Sequence, residues 1–538
     1  MNKDGSALEP TPTLRALPGP ELVFGLIGAV GTDLAEVSRM LCEQLKRVNY
    51  VSYEIRVSKL LHSLDRYAEL AAPATSSEYE RIKAHMKAGS SFRAEAGRGD
   101  ILALMSVSHI RLLRREHGQG SEDERPRTPL PRTAYIIRSL KHPSEIDALR
   151  DIYGRAFHVI SAYSPRAKRV SSLAALIAES EGHPEPGNFR EKSEELIRID
   201  EEEEGAPLGQ SVRDSFPQAD VFVDTRARER LNSSLARFVE GVFGNPFVSP
   251  TPDEFGMFHA NAAALRSADL GRQVGAAIAT PGGEVIAMGC NDVPRAGGGL
   301  YWSGDDPDVR DFQQGFDSAA RFRDKIIAEL AAMLLRREWT PPRGWPMEPG
   351  ALAEAIVNRQ MFKGTRLQNL LEYGRAVHAE MAAITDASRR GISVKGATLY
   401  STTFPCHLCA RHIVAAGLSR VVYVEPYPKS VAEELYSDSL TVDAEERSAT
   451  KVAFEPFVGI SPSLYPQVFR LHPGARKDVR GRVRLWQPAL AEPRLKRFVA
   501  SYILIEDRVL GSVLPAHFAR MGIKPIVSQP EQGSNRHD

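Results

Sequence analysis

The sequence predicts an α/β protein of two domains, the first built on a parallel sheet and the second an α/β sandwich that opens with a β-hairpin. Three observations carry this expectation. An apolar run, "ELVFGLIGAVGTD" (Glu21–Asp33), leads into a glycine turn and then into an amphipathic segment. A proline- and glycine-punctuated stretch, "GNPFVSPTPDEFG", interrupts the pattern near residue 250. Beyond it, two strand-like runs around "TPGG" precede alternating helical and strand-like segments. At 538 residues the chain also exceeds what one ordinary core holds.

Residues 1–20 read as a flexible arm, and residues 21–250 as the first domain. After the glycine turn, Leu34, Val37, Met40, Leu41 and Leu45 fall at helical spacing. "YVSYEIRVS" is the next strand, and this strand–turn–helix–strand order marks a parallel α/β domain. "TAYIIRSL" (Thr133–Leu140) and "FHVISAYS" are further strands, separated by a helix in "HPSEIDALRDIYG" with Ser144 as its cap. "IRIDEEEEGAPLGQSVRD" reads as a charged, mobile connection. "ADVFVDT" is a last short strand before a helix through "RERLNSSLARFVEGVFG".

Residues 251–470 read as the second domain. A helix, "HANAAALRSADLG", precedes the hairpin "QVGAAIATPGGEVIAMGCND". An insert, 294–374, has a helical middle, "SAARFRDKIIAELAAMLLRREW". Helix "HAEMAAITDASRRG", strand "ATLYST", helix "CHLCARHIVAAG" and strand "RVVYVEP" complete the sandwich. Residues 471–538 form a C-terminal extension whose end, "SQPEQGSNRHD", is expected to be disordered.

Composition narrows the function classes. The chain is 42% hydrophobic and 25% charged, with 69 basic against 68 acidic residues and a net charge of +1. That balance offers no global argument for a nucleic-acid or membrane-surface protein. No stretch approaches a membrane span, and "MNKDGSALEPTPTLRALPGP" lacks an apolar signal core. The four cysteines, Cys42, Cys290, Cys406 and Cys409, do not make a disulfide framework. A cytoplasmic location is expected, where thiols stay reduced and can bind metal.

"TTFPCHLCARH" (Thr402–His412) carries the chemistry. Cys406 and Cys409 sit one helical turn apart at a helix start, where the helix N-terminus favours thiolate. Upstream, "HAE" supplies His378 and Glu380, with 24 residues between Glu380 and Pro405. H-x-E followed by P-C-x-x-C is the zinc-deaminase pattern. In it His378, Cys406 and Cys409 hold one Zn²⁺, and the fourth position is left for a water that the metal acidifies. Glu380 is not a ligand but moves protons as general acid and base. Three other readings remain open at this point: a redox pair, a structural zinc site using Cys290, and ligation by His407 or His412 instead of His378.

Residues from about 255 to 460 resemble the cytidine and deoxycytidylate deaminase superfamily, and dCMP deaminases in particular. The resemblance lies in "QVGAAIATPGGEVIAMGCNDVP", "VHAEMAAI" and "LYSTTFPCHLCARHIVAAGLSRVVYVEPYPKS". It implies that Asn291 hydrogen-bonds the nucleoside; a turn asparagine is the alternative. It also implies that Arg266 and Arg272 frame the nucleotide, against the alternative of a solvated helix face. Phe404 stands where many base deaminases have glutamate, which suits the deoxycytidylate branch. The insert contains no Cys or His, so one zinc is expected rather than two.

"GLIGAVGTD" (Gly25–Asp33) looks like a phosphate loop, with Gly25, Gly28, Gly31 and Thr32 as candidate nucleotide-binding residues. It departs from G-x-x-x-x-G-K-[ST], because Thr32 and Asp33 follow Gly31 and no lysine is present. A packing turn is the alternative. The first domain resembles a degenerate P-loop nucleotide kinase. Joined to a cytidine-deaminase-like α/β/α sandwich, it resembles the bacterial antiphage deoxycytidylate deaminases, which convert dCTP and dCMP to dUTP and dUMP. That resemblance implies deoxycytidine nucleotides as substrates, a regulatory first domain with a nucleotide ligand, restraint by a small RNA in some members, and assembly into homo-oligomers.

Overall fold

The apolar run after Glu21 becomes β1 (Leu22–Ile27), buried along its whole length as a strand covered on both faces must be. The computed structural model describes residues 19–526, apart from 72–76, 203–207, 363, 364, 366, 368–372, 427–429, 445 and 495–498. β2 (Val51–Arg56), β3 (Thr133–Leu140), β4 (Phe157–Tyr163) and β5 (Val221–Asp224) follow where the apolar runs predict them. β1 lies between β3 and β4, and all four contacts among these five strands are parallel. One face of the sheet packs Phe24, Ile136, Ile160 and Val223 against helices Leu34–Arg47 and Arg228–Val242.

The second sheet begins with the hairpin β6 (Gly275–Ala279) and β7 (Val285–Cys290). β8 (Thr398–Thr403) pairs antiparallel with β6 and parallel with β9 (Arg420–Glu425). β10 (Leu440–Val442) and β11 (Val452–Pro456) extend the parallel side. Helices Ala379–Arg389 and His407–Ala415 cover one face through Ala383, Ala387, Ala410 and Ile413. Gly289 lets the first of these lie close on β7, because a Cβ there would collide with Ala379 O and Ala383 N. Gly275 does the same on the other face for helix Pro252–Ala264, where a Cβ would meet Ala260 O.

A short strand, β12 (Gly459–Ile460), returns to the first sheet and pairs antiparallel with β5. The sheet orders are therefore β12-β5-β4-β1-β3-β2 and β10-β11-β9-β8-β6-β7. Both sheets are mixed and mostly parallel. Two compact units result, Phe255–Phe457 on one side, and the residues up to Glu254 with those from Val458 onward on the other.

Several expectations shift. The second domain ends at Phe457 rather than 470, and the segment after 470 is no separate extension: Glu506 is fully buried against Arg111 and Arg114. The N-terminal arm stops short of 20, since Gly19 and Pro20 are buried and Gly19 N donates to Glu492 Oε2 at 2.8 Å. The rest of that arm, 1–18, the charged residues 203–207 and the tail 528–538 lie outside the described residues. Residues 197–202 of the supposed mobile connection continue helix Arg190–Glu202, because Ile197 and Asp200 are buried. His142, not Ser144, caps helix Pro143–Tyr153: its ring accepts from Ser144 N, and Glu145 closes a capping box. The helix before the hairpin starts at Pro252 and ends at Ala264, so Arg266 and Arg272 lie beyond it. No helix among the described residues is long and apolar enough to cross a membrane.

Candidate metal centre

Two helix N-termini meet at one point. His378 is the N-cap of helix Ala379–Arg389, which places Glu380 in its first turn. Cys406 is the N-cap of helix His407–Ala415, with Cys409 one turn in. Pro405 and the end of β8 set the start of the second helix, and Ser430 Oγ donates to Pro405 O at 3.0 Å.

His378 Nδ1 lies 3.3 Å from both Cys406 Sγ and Cys409 Sγ. All three ligand atoms fall within 4.8 Å of one another, and this is the one such cluster of three or more among the described residues. Ligand bonds of about 2.3 Å to sulfur and about 2.0 Å to nitrogen give tetrahedral edges of roughly 3.5–3.8 Å. An expansion of a few tenths of an ångström therefore admits zinc, and two thiols with an imidazole are the donors zinc prefers. Hydrogen bonding from Cys409 and from His378 pulls the Cys406 thiol down to about 4. The same bond holds the His378 imidazole above its ordinary range. Cys406 is thus already held toward thiolate, the form a metal requires, whereas the bond to Cys406 and burial push the Cys409 thiol well up, so it keeps its proton until a metal displaces it.

Glu380 is 4% exposed, and its Oε2 lies 3.3 Å from Cys409 Sγ, within reach of the metal position without joining the ligand set. Burial first, and then the nearby Cys406 thiolate, raise its carboxyl above the usual range. A carboxyl tuned upward can carry a proton near neutral pH and release it again.

The competing readings separate here. Cys290 stands apart from the cluster, buried, with its thiol pushed up to about 11 by desolvation. Neither His407 nor His412 belongs to the cluster, and His412 is exposed. Phe404 packs edge-on against Tyr423 at 4.9 Å and tilted against Phe454 at 5.4 Å, so it joins the core behind Pro405.

The expected substrate residues are placed less simply. Asn291 is buried, and its amide spans the entry to β6: Nδ2 donates to Arg272 O at 2.7 Å, and Oδ1 accepts from Val274 N at 2.7 Å. Arg272 pairs with Glu425 at 2.6 Å. Arg266 donates to Leu300 O and Tyr301 O and stacks on Trp302 at 3.5 Å, which ties it to the start of the insert. Sequence reading passed over Asp269, whose charge helps raise His378, and Ser267, whose hydroxyl donates to Asn291 O at 2.6 Å. Both sit in the polar run "RSADLG", where nothing in the pattern separates a site residue from a turn residue.

In the first unit, Gly25 lies inside β1, packed where a Cβ would strike Leu140 and Phe157. Gly28 and Gly31 form the turn, and Gly31 adopts φ +85°, open to glycine at no steric cost. Thr32 N closes the turn on Ala29 O at 3.0 Å. Val30 N, a group a phosphate oxygen could take, donates instead to Asp200 Oδ2 at 2.9 Å. Lys141 bridges Asp200 Oδ1 and Gly28 O.

Comparison with known proteins agrees with the site. Deoxycytidylate deaminase of Enterobacteria phage T2 is 46% identical over 54 residues, 10% of this chain and 29% of that protein. A probable deoxycytidylate deaminase of Drosophila melanogaster is 37% identical over 79 residues, 15% and 34% of the two chains. The chain thus spans about a third or less of the length of these relatives. A crystal structure of dCMP deaminase from cyanophage S-TIM5 aligns with 39% of this chain and 99% of its own at 17% identity, with a TM-score of 0.20. The sequence relatives are named as deaminases, in line with the enzyme class read from the sequence, and zinc as the cofactor agrees with the family match. Residues 250–425, with His378, Cys406 and Cys409 as the metal triad, match the family model of the cytidine and deoxycytidylate deaminase zinc-binding region.

Proposed function

We propose that the second unit catalyses hydrolytic deamination of deoxycytidine nucleotides, dCMP, dCTP or both, to the deoxyuridine nucleotides and ammonia. The observation that carries this reading is the His378–Cys406–Cys409 cluster with buried Glu380 in contact with it. When bound, zinc supplies an acidified water as nucleophile. Glu380 takes a proton from water at its carboxylate and delivers it to the ring nitrogen, then takes the proton of the hydroxyl now on the ring carbon and passes it to the amine, which leaves as ammonia. Burial of Glu380 keeps bulk water from short-circuiting these transfers and makes the protonated state accessible. Asn291 orients the nucleoside through the second hydrogen and lone pair of its amide, with Arg266 and Arg272 nearer the phosphates.

Purified protein incubated with cytidine and deoxycytidine mono-, di- and triphosphates should release ammonia from the deoxycytidine forms. Glu380→Ala should lower that rate at least 10²-fold while zinc content stays unchanged. Full activity in Glu380→Ala would sink the mechanism, and C-to-U change in single-stranded oligonucleotides alone would replace the substrate.

We further read the protein as a nucleotide-depleting antiphage enzyme with the first unit as its regulator, on the resemblance described above. Calorimetry of the full chain with ATP, GTP and dNTPs tests for a nucleotide on that unit. Asp200 on Val30 N makes no binding at the glycine turn the expected outcome.

A further inference from the structure

Residues 294–374 separate β7 from His378, yet the chain closes on itself just before the ligand. Asp292 and Val377 form an antiparallel bridge: Val377 N donates to Asp292 O at 2.9 Å, and Asp292 N to Val377 O at 3.3 Å. The bridge thus joins the residue after Asn291 to the residue before His378. The Asp292 carboxylate is 2% exposed and accepts from Val293 N at 2.7 Å and Ala268 N at 3.3 Å. A buried carboxylate needs a counter-charge as well as hydrogen bonds.

The insert supplies that charge. Arg310, itself buried, places Nη1 3.8 Å from Asp292 Oδ2. Its Nε and Nη2 donate to Asp308 at 2.9 and 2.6 Å, and Phe312 lies under the guanidinium at 5.0 Å. Asp308 therefore fixes the guanidinium plane and leaves Nη1 turned toward Asp292. Arg375, three residues before His378, is held by the same part of the insert. Its Nη1 donates to Asp311 Oδ1 at 2.7 Å and Val309 O at 3.1 Å, and its backbone N–H to Ser318 Oγ at 3.3 Å.

We propose that Arg310 is a positioning residue for the metal centre: by neutralising Asp292 it holds the Asp292–Val377 bridge and so sets where His378 stands relative to Cys406 and Cys409. This rests on the reading of those three residues as zinc ligands. The insert is on this account part of the apparatus that orients a ligand, not a spacer. Groups that orient ligands commonly change metal affinity by about 10–100-fold. A lysine at 310 would restore charge but not the planar fork that Asp308 grips.

Cobalt(II) taken up by full-length protein provides the probe, through thiolate charge-transfer and d–d absorption bands. Arg310→Met should weaken cobalt binding by about 10–100-fold and shift the d–d bands, with far-UV circular dichroism unchanged. Arg310→Lys should recover part of the affinity. Arg310→Met combined with Asp292→Asn should also recover, because no unpaired carboxylate remains buried. Wild-type affinity and spectrum in Arg310→Met overturn the proposal, and so does a double variant no better than the single one. Should Arg310→Met not fold, Arg310→Lys decides: reduced cobalt affinity supports the role, and wild-type affinity overturns it. Wild-type protein that takes up no cobalt overturns the metal-centre reading itself, and the positioning role with it.

Discussion

Single residues here act through what surrounds them. Cys409 is fully buried between His378 Nδ1 and Glu380 Oε2, so Cys409→Ala removes a ligand that no neighbour replaces. Zinc measured by atomic absorption should fall from about one per chain toward zero, because three protein ligands define the site. Asp220 shows burial setting a pH dependence away from the site. Desolvation pushes its carboxyl up to about 6, while Val159 N donates to it at 2.7 Å. A folded value above the unfolded one favours the protonated form, so its stability contribution is full below about pH 4 and lost as pH rises through 6. Asp220→Asn keeps the acceptor for Val159 and should gain up to about 3 kcal/mol over wild type at pH 7 but little at pH 4. Urea unfolding at the two pH values measures this. The ligand residues were legible because their spacing is dictated by chemistry. Asp292 and Arg310 were not, since a buried ion pair between positions 18 residues apart leaves no pattern in the chain.

Helices and strands set the precision of the centre. Helix Ala379–Arg389 carries His378 and Glu380, and Gly289 is the point on β7 that lets it approach. Gly289→Val would press its side chain on backbone atoms of Ala379 and Ala383, which cannot yield without moving the helix. A loss of about 1–3 kcal/mol is expected, together with reduced zinc content, measured by thermal melting and metal analysis. At the other end of the chain, helix Val499–Arg508 is pinned by charge. Glu506 accepts from Arg111 at 2.6 Å, Arg114 at 2.7 Å and Tyr153 OH at 3.0 Å, and Arg114 also reaches Glu21. Glu506→Ala removes the carboxylate the two buried arginines share, leaving Arg114 with Glu21 and Arg111 with Asp507, and should cost about 1.5–3 kcal/mol in urea unfolding of the first unit. The hairpin and the helix–strand alternation could be read because apolar periodicity signals them. β10, β11 and β12 could not, being only three, five and two residues long.

At the scale of the whole chain, the first unit is discontinuous in sequence. Ile460, Leu464 and Val468 lie in its core with Phe24 and Phe238, and β12 completes its sheet. A chain ended after Arg470 lacks Glu506 and Asp507, so Arg111 loses both its carboxylates and Arg114 keeps only Glu21. Its first unit should melt at lower temperature and be cut faster by protease than in the full chain. Equal melting of the two would count against this division. A boundary near 250 was legible from proline and glycine punctuation. The return at Val458 was not: Pro456, Gly459 and Pro462 punctuate it, but nothing local says that the strand there pairs with β5, more than 200 residues back.

The sequence by itself determined the α/β class, the hairpin and the metal triad, with Glu380 two residues beyond His378. Local periodicity, turn chemistry and ligand spacing are short-range properties, and they survive in a single line of residues. Only the tertiary structure decided that residues after 457 complete the first sheet, that Asp200 answers the glycine turn, and that Arg310 stands beside Asp292. Those are long-range pairings of ordinary residues. They are selected by burial and by the need of each buried charge for a partner, and neither condition exists until the chain has folded.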